Sequence, residues 1–146
     1  MSVATVRAAL VSLLSSVSGV KRVFAHAPNS LPPSDLPGVV LFTGPAEYEF
    51  AGMGRGMIQE TRTYTAILYI APVQTGIPGE VETACEPFFA LVRNAVFNAP
   101  TLSGTAGVTM CRVSSDGGAG VSSLGGGTYA AIEFKITVIE RVSAGV

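Results

Sequence analysis

His26 is the chain's one histidine, standing before Ala27-Pro28 at the end of a predicted strand. Hydrolytic chemistry would ask its ring to take a proton from a serine while a carboxylate orients it. Ser114, Ser115 and Asp116 supply those residue types, but far along the chain and with no GxSxG elbow to present a nucleophile. Glu80, Glu82 and Glu86 offer a second set of carboxylates, for general acid and base work. Their place in the first turns of a predicted helix already accounts for them, because acids complement the positive end of the helix dipole. Cys85 and Cys111 are widely spaced and lack CxxC spacing, so they read as buried free thiols. One histidine, two separated cysteines and scattered acids give no metal-ligand spacing. The expectation is a protein with no catalytic centre, no metal and no cofactor.

Two glycine-rich stretches invite a phosphate-cradle reading. Asp116–Gly127 (DGGAGVSSLGGG) holds six glycines but lacks the GK[ST] ending of a phosphate-binding loop. A strand follows it, not a helix whose N-terminus could hold an anion. Gly52, Gly54 and Gly56 miss the dinucleotide spacing and also lead into a strand. Both stretches read as mobile loops or assembly tips.

The elements that must position these residues follow from periodicity. Ser2 suits the N-cap of a helix of about 15 residues, with Val3, Val6, Leu10, Leu13, Leu14 and Val17 on one side and Gly19 as its stop. Residues 20–26 suggest a short strand, and four prolines in 27–37 forbid regular structure. Strands are expected at 38–43 and, edge-like, at 47–50, before a hairpin tip at 51–56. Residues 57–71 form the clearest strand, its early half polar on both faces and its late half apolar. A helix spans about 79–98, with Val81, Cys85, Phe88, Val92 and Ala95 as its stripe and Pro87 as an internal flaw. Two further strands fall at about 106–114 and 128–142. In the second, Ala130, Ile132, Phe134, Ile136 and Val138 face one way, and Tyr129, Glu133, Lys135, Thr137 and Arg141 the other. The order predicts one α+β domain over 1–146, a mainly antiparallel mixed sheet with two helices packed on one face and an extended β-hairpin arm.

Composition narrows the class of partner. Only 13% of the 146 residues are charged and 48% are hydrophobic, against about 25% charged in ordinary soluble domains. The longest charge-free stretches, 63–79 and 95–111, are broken by Pro, Gly or polar residues, so neither reads as a membrane span. Nine cations balance ten acids for a net charge of −1, with no basic stripe to neutralise phosphates. The start of the chain lacks the cationic region of a secretory signal, and synthesis in a cytosol is expected. Apolar content beyond one small core points to other protein chains as its cover.

One ordered set of residues carries a resemblance. Asp35-Leu36-Pro37-Gly38-Val39-Val40 closes the proline-rich loop, and Glu60-Thr61-Arg62-Thr63-Tyr64 runs on to Leu68-Tyr69-Ile70-Ala71-Pro72. Gly76, Gly79-Glu80 and Glu86-Pro87-Phe88-Phe89 follow, then Gly127-Thr128-Tyr129 and Val138-Ile139-Glu140. In this order, from about residue 3 to 142, the chain resembles the tail-terminator and neck (head-tail joining) proteins of tailed bacteriophages. The resemblance implies a ring-forming structural subunit, hexameric in that family, acting in the virion after assembly in the bacterial cytoplasm. Such a ring caps the tail-tube protein, stops its polymerisation and meets the head-tail connector proteins, while DNA passes through its lumen. It implies no catalytic residue. Within this reading Met53, Arg55 and Met57 at the hairpin tip, and Asp116 in the glycine-rich loop, are the expected contacts with neighbouring subunits or rings. The alternatives are a head-completion or connector-stopper ring, or a small ligand-binding or hydrolytic α+β domain using His26 and Asp116.

Overall fold

The β-branched and aromatic run in the middle of the chain organises the fold. A computed structural model describes residues 3–50, 56–73 and 79–143. The chain folds as helix α1 (Val3–Ser15), strand β1 (Arg22–Phe24), strands β2 (Gly38–Phe50) and β3 (Met57–Pro72), and helix α2 (Glu80–Phe97). Strands β4 (Val108–Asp116), β5 (Gly120–Leu124) and β6 (Gly127–Ser143) complete it. The sheet order is β1-β2-β3-β6-β4, with β5 also paired to β6. Only the β1–β2 pair is parallel; the others are antiparallel. The architecture is therefore α+β, with a mixed six-stranded sheet and two helices.

Alternation along β3 and β6 decides which face is covered. Tyr64, Ala66 and Leu68 of β3 and Ile132, Phe134, Ile136 and Val138 of β6 pack against Val6, Leu10 and Leu14 of α1 and Cys85, Phe88, Val92 and Val96 of α2. Both helices thus share one face, each burying a stripe at three- and four-residue spacing. Truncating one such fully buried Leu or Ile to Ala costs about 2–5 kcal/mol. Pro87 lies inside α2 without ending it. Its missing donor falls on the exposed side of the helix, where water can take the freed carbonyl. Ser2, the expected cap of α1, lies outside the described residues.

The opposite face is covered at one end only. Leu31 and Leu36 from the proline-rich segment pack with Val40, Tyr69, Tyr129 and Ala131, with Phe24, Ile67 and Leu124 at the margin. The proline-rich segment thus lies as a strap over this end of the sheet. Beyond it the face is open and rich in threonine.

Three expectations need correction. Residues 38–50 form one strand, because Gly44-Pro45 is accommodated as a bulge between Thr43 and Ala46. Pro45, which lacks a donor, is tolerated there because β1 pairs only with Gly38–Val40, leaving this part of β2 at the sheet edge. The stretch 116–127 is not all loop: Gly120–Leu124 forms β5, joined to β6 through Gly125 and Gly126, whose φ values of 60° and 86° fit a two-residue type I′ turn. Finally, the prolines of 27–37 do not forbid regular structure throughout, since Pro33–Asp35 form one turn of 3-10 helix.

Candidate assembly surface

Three successive layers run along the helix-side face of the sheet towards the β2–β3 turn. The first is apolar core, ending at Tyr64, Ile136 and Val138. The second is polar: cross-strand neighbours place Arg62 beside Ala46, Glu60 beside Tyr48, and Glu60 beside Glu140. The third is apolar again but open, where Phe50 of β2 lies opposite Ile58 of β3. Phe50 is 83% exposed and Tyr48 61%. With Glu49 and Ile58 they line a depression of about 360 Å³.

The polar layer anchors the outer one. Arg62 donates to the Gly44 carbonyl at 2.9 Å and to the Tyr48 hydroxyl at 3.1 Å, and pairs with Glu60 at 3.4 Å. Burial works against its charge, but the hydrogen bond and charge of Glu60 outweigh that and leave its pKa raised. Arg62 therefore stays cationic and ties the bulge, the tyrosine and the carboxylate into one unit. Burial pushes the Tyr64 hydroxyl up to about 12.

Two strand edges flank these layers. Among the described residues, β2 has no strand beside Leu41–Phe50 on its outer side, and β4 has none beyond it. Long unpaired edges of this kind template pairing with another chain. The face between them carries Thr61, Thr63 and Thr65, and the buried Thr137, with the acids Glu47, Glu49 and Glu133 and the cations Arg112, Lys135 and Arg141. Its charges balance and partly pair: Lys135 meets Glu133 at 2.9 Å and donates to Thr65 at 3.0 Å.

Of the expected contact residues, Met57 opens β3 and is 36% exposed, on the sheet face opposite Tyr48, Phe50 and Ile58. Met53 and Arg55 lie outside the described residues. Asp116 ends β4 and is exposed, but its Oδ1 accepts the Gly118 amide at 2.9 Å and so shapes its own turn. The fold also separates His26 from Asp116. One follows β1 and the other ends β4, opposite edges of the sheet, four strand spacings or about 19 Å apart. His26 instead meets the Arg7 guanidinium at 2.7 Å, while Arg7 also donates to Thr43 at 3.2 Å. Glu80, Glu82 and Glu86 sit in the first half of α2 as expected. Cys85 and Cys111 are buried free thiols, 0% and 2% exposed. Among the described residues no group of three or more His, Cys, Asp or Glu converges as a metal site.

Sequence reasoning missed Tyr48, Phe50 and the Glu60–Glu140 pair. Tyr48 and Phe50 alternate with Glu47 and Glu49, a signal that identifies a strand but not which of its faces stays uncovered. Among the described residues no helix is long and apolar enough to cross a membrane. No known protein family matches the sequence, and no curated protein matches it.

Proposed function

We propose that the chain is a structural subunit of a tailed-bacteriophage neck, a tail terminator that closes into a ring. In this role it caps the tail tube, halts its polymerisation and offers its other side to the head connector. The observation that carries the reading is the uncovered apolar end of the sheet, Tyr48, Phe50 and Ile58 on the helix-side face with Met57 on the reverse face, held out by a charged layer. A patch so placed serves a partner better than it serves the monomer, which gains nothing from leaving it wet. The end of the sheet around Met57 acts as an arm, and three strands support it because β6 runs beside β3 as far as Met57.

A closed ring of identical subunits needs two different surfaces on each chain. The outer side of β2 and the outer side of β4 supply two such surfaces, at opposite ends of the sheet order. The threonine-rich open face suits a lumen that DNA crosses: with three acids against three cations it offers phosphates little net attraction.

The test mixes purified chain with a polymerising phage tail-tube protein and follows tube length and ends by electron microscopy. The expected result is short tubes, each closed at one end by an added ring. Replacing Phe50, which is 83% exposed, with Ser should abolish capping while leaving the far-ultraviolet spectrum and unfolding midpoint near those of the parent chain. Tubes indifferent to the chain would sink the terminator role, and binding to connector rings alone would reassign it to another neck position.

A further inference from the structure

Two carboxyl groups face each other where a sheet would normally place a charge and its counter-charge. Glu60 of β3 and Glu140 of β6 are directly opposite across the strand pair, on the helix-side face. Side chains so placed have Cβ atoms about 4.5–5.5 Å apart, and like charges there repel. Both are buried, Glu60 at 9% exposure and Glu140 at 2%. Among the described residues the layer itself supplies one cation, Arg62, for two acids. Arg62 is committed to Glu60, the Gly44 carbonyl and Tyr48. On the other side of Glu140, β4 presents Val108, which brings no charge. From α1, Arg7 acts on the neighbouring Tyr64, and β2 contributes only Tyr48. Among the described residues, three buried polar atoms in and beside this layer lack hydrogen-bond partners: Glu140 Oε2, Tyr64 Oη and Arg62 Nε. Two ionised carboxylates buried in this position would leave a charge uncompensated, a costly arrangement.

We infer that Glu60 and Glu140 hold one proton between them, making the polar layer of β3 and β6 a pH-responsive joint between the helix-covered core and the outer end of the sheet. Glu60 keeps the charge that Arg62 needs, and Glu140 keeps the proton. Burial raises the Glu140 pKa, and the charge and hydrogen bonding of Glu60 raise it further; Arg62 opposes them with less effect. The sign follows. An acid whose folded pKa is raised stabilises the fold fully below its unfolded value, and that stability is lost as pH rises towards the folded value. Acid therefore tightens the joint. Alkali puts two like charges opposite each other and loosens β3 from β6 beyond Tyr64, where Tyr48 and Phe50 are carried. This device is independent of the ring, since it concerns the fold of a single subunit.

The experiment compares the full chain with Glu140→Gln, which mimics the protonated acid, by urea unfolding from pH 4.5 to 8. Between the unfolded and folded pKa values of one group, the unfolding constant rises by up to about tenfold per pH unit. The parent should show that rise and Glu140→Gln should lack it, being the more stable of the two at pH 8. Amide exchange at residues 138–142, corrected for intrinsic base catalysis, should quicken with pH in the parent alone. Parallel pH profiles for the two chains would overturn the inference. If Glu140→Gln fails to fold, carboxyl-carbon NMR of the unaltered chain decides: Glu140 titrating in the ordinary glutamate range overturns the inference, and titration above it supports it.

Discussion

The rings of Tyr69 and Tyr129 meet edge to face, 5.8 Å between centroids at 85°, on the sheet face opposite the helices. Such a pair is worth about 0.5–1.5 kcal/mol beyond the area it buries. Tyr129 also donates from its hydroxyl to the Leu31 carbonyl at 3.4 Å, so one side chain joins β6, β3 and the proline-rich strap. Gly127 leaves it room, since a Cβ there would stand 2.5 Å from the Tyr129 hydroxyl. Tyr129→Phe should lose about 1 kcal/mol, the usual worth of one hydrogen bond. Tyr129→Ala should lose about 3–5 kcal/mol, as large aromatic truncations do. Urea midpoints measure both. Limited proteolysis adds a local readout, because Tyr129→Ala should expose residues 27–37 to cleavage before the sheet unfolds.

The bulge in β2 rests on a missing Cβ. A side chain at Gly44 would collide with the Thr63 carbonyl of the paired strand, and backbone on both sides leaves nothing flexible to yield. Gly44→Ala must therefore push β2 away from β3 and stretch the Arg62 bond to the Gly44 carbonyl. A cost of about 1–3 kcal/mol is expected, as for other overpacked sites. The loss should be confined: amides of 46–50 lose exchange protection while those of 38–43, paired before the bulge, keep theirs. Equal loss along the whole strand would refute this account of the bulge.

Long periodic runs made much of the fold legible. Both helices announced themselves through apolar spacing, β3 through its β-branched and aromatic run, and β6 through strict alternation over ten residues or more. What failed was short or depended on distant partners. Gly44-Pro45 reads as a break because both residues disfavour strands, yet a bulge at a sheet edge accepts them. Strand β5 has little apolar pattern in Gly120-Val121-Ser122-Ser123-Leu124 and exists because β6 offers it an edge. Leu31 and Leu36 look like loop residues until Tyr69 and Tyr129 come together beneath them. The carboxyl pair was invisible for the same reason: nothing local to Glu60 or Glu140 signals burial, and only the β3–β6 register sets them opposite. The separation of His26 and Asp116 at opposite edges of the sheet was equally out of reach of the sequence, because it follows from the strand order.

The two thiols should behave as core atoms. Burial holds Cys111 at about 12 and raises Cys85 as well. A disulfide-exchange reagent at pH 8 should leave both unreacted in the native chain and label both at once in urea. Alkaline stability follows with a definite sign. These raised groups, with Tyr64 pushed up to about 12, stabilise the fold below their unfolded values and lose that contribution as pH climbs towards 12. The unfolding midpoint should therefore fall above about pH 9. A flat midpoint from pH 9 to 11 would contradict the burial of these groups.

Arg62 and Glu60 are the charge pair on which the outer sheet depends, and their contribution can be isolated. Their side chains are 16% and 12% exposed, so solvent screens the pair only weakly. Arg62→Met keeps the length of the side chain but leaves Glu60 buried without its cation, next to a second carboxyl group. Breaking one partner of a buried pair costs about 3–5 kcal/mol, most of it the orphaned charge. That cost should shrink when Glu60 is already neutral. In a Glu60→Gln background, Arg62→Met should cost less by at least about 1 kcal/mol, a coupling typical of contacting charged residues. The remaining cost comes from the bonds to the Gly44 carbonyl and the Tyr48 hydroxyl, which neither substitution at Glu60 nor a change in Glu140 removes. A double-mutant cycle in urea at pH 7 measures the coupling. A value near zero would mean that Arg62 serves the bulge and Tyr48 alone, and that Glu60 finds its compensation elsewhere.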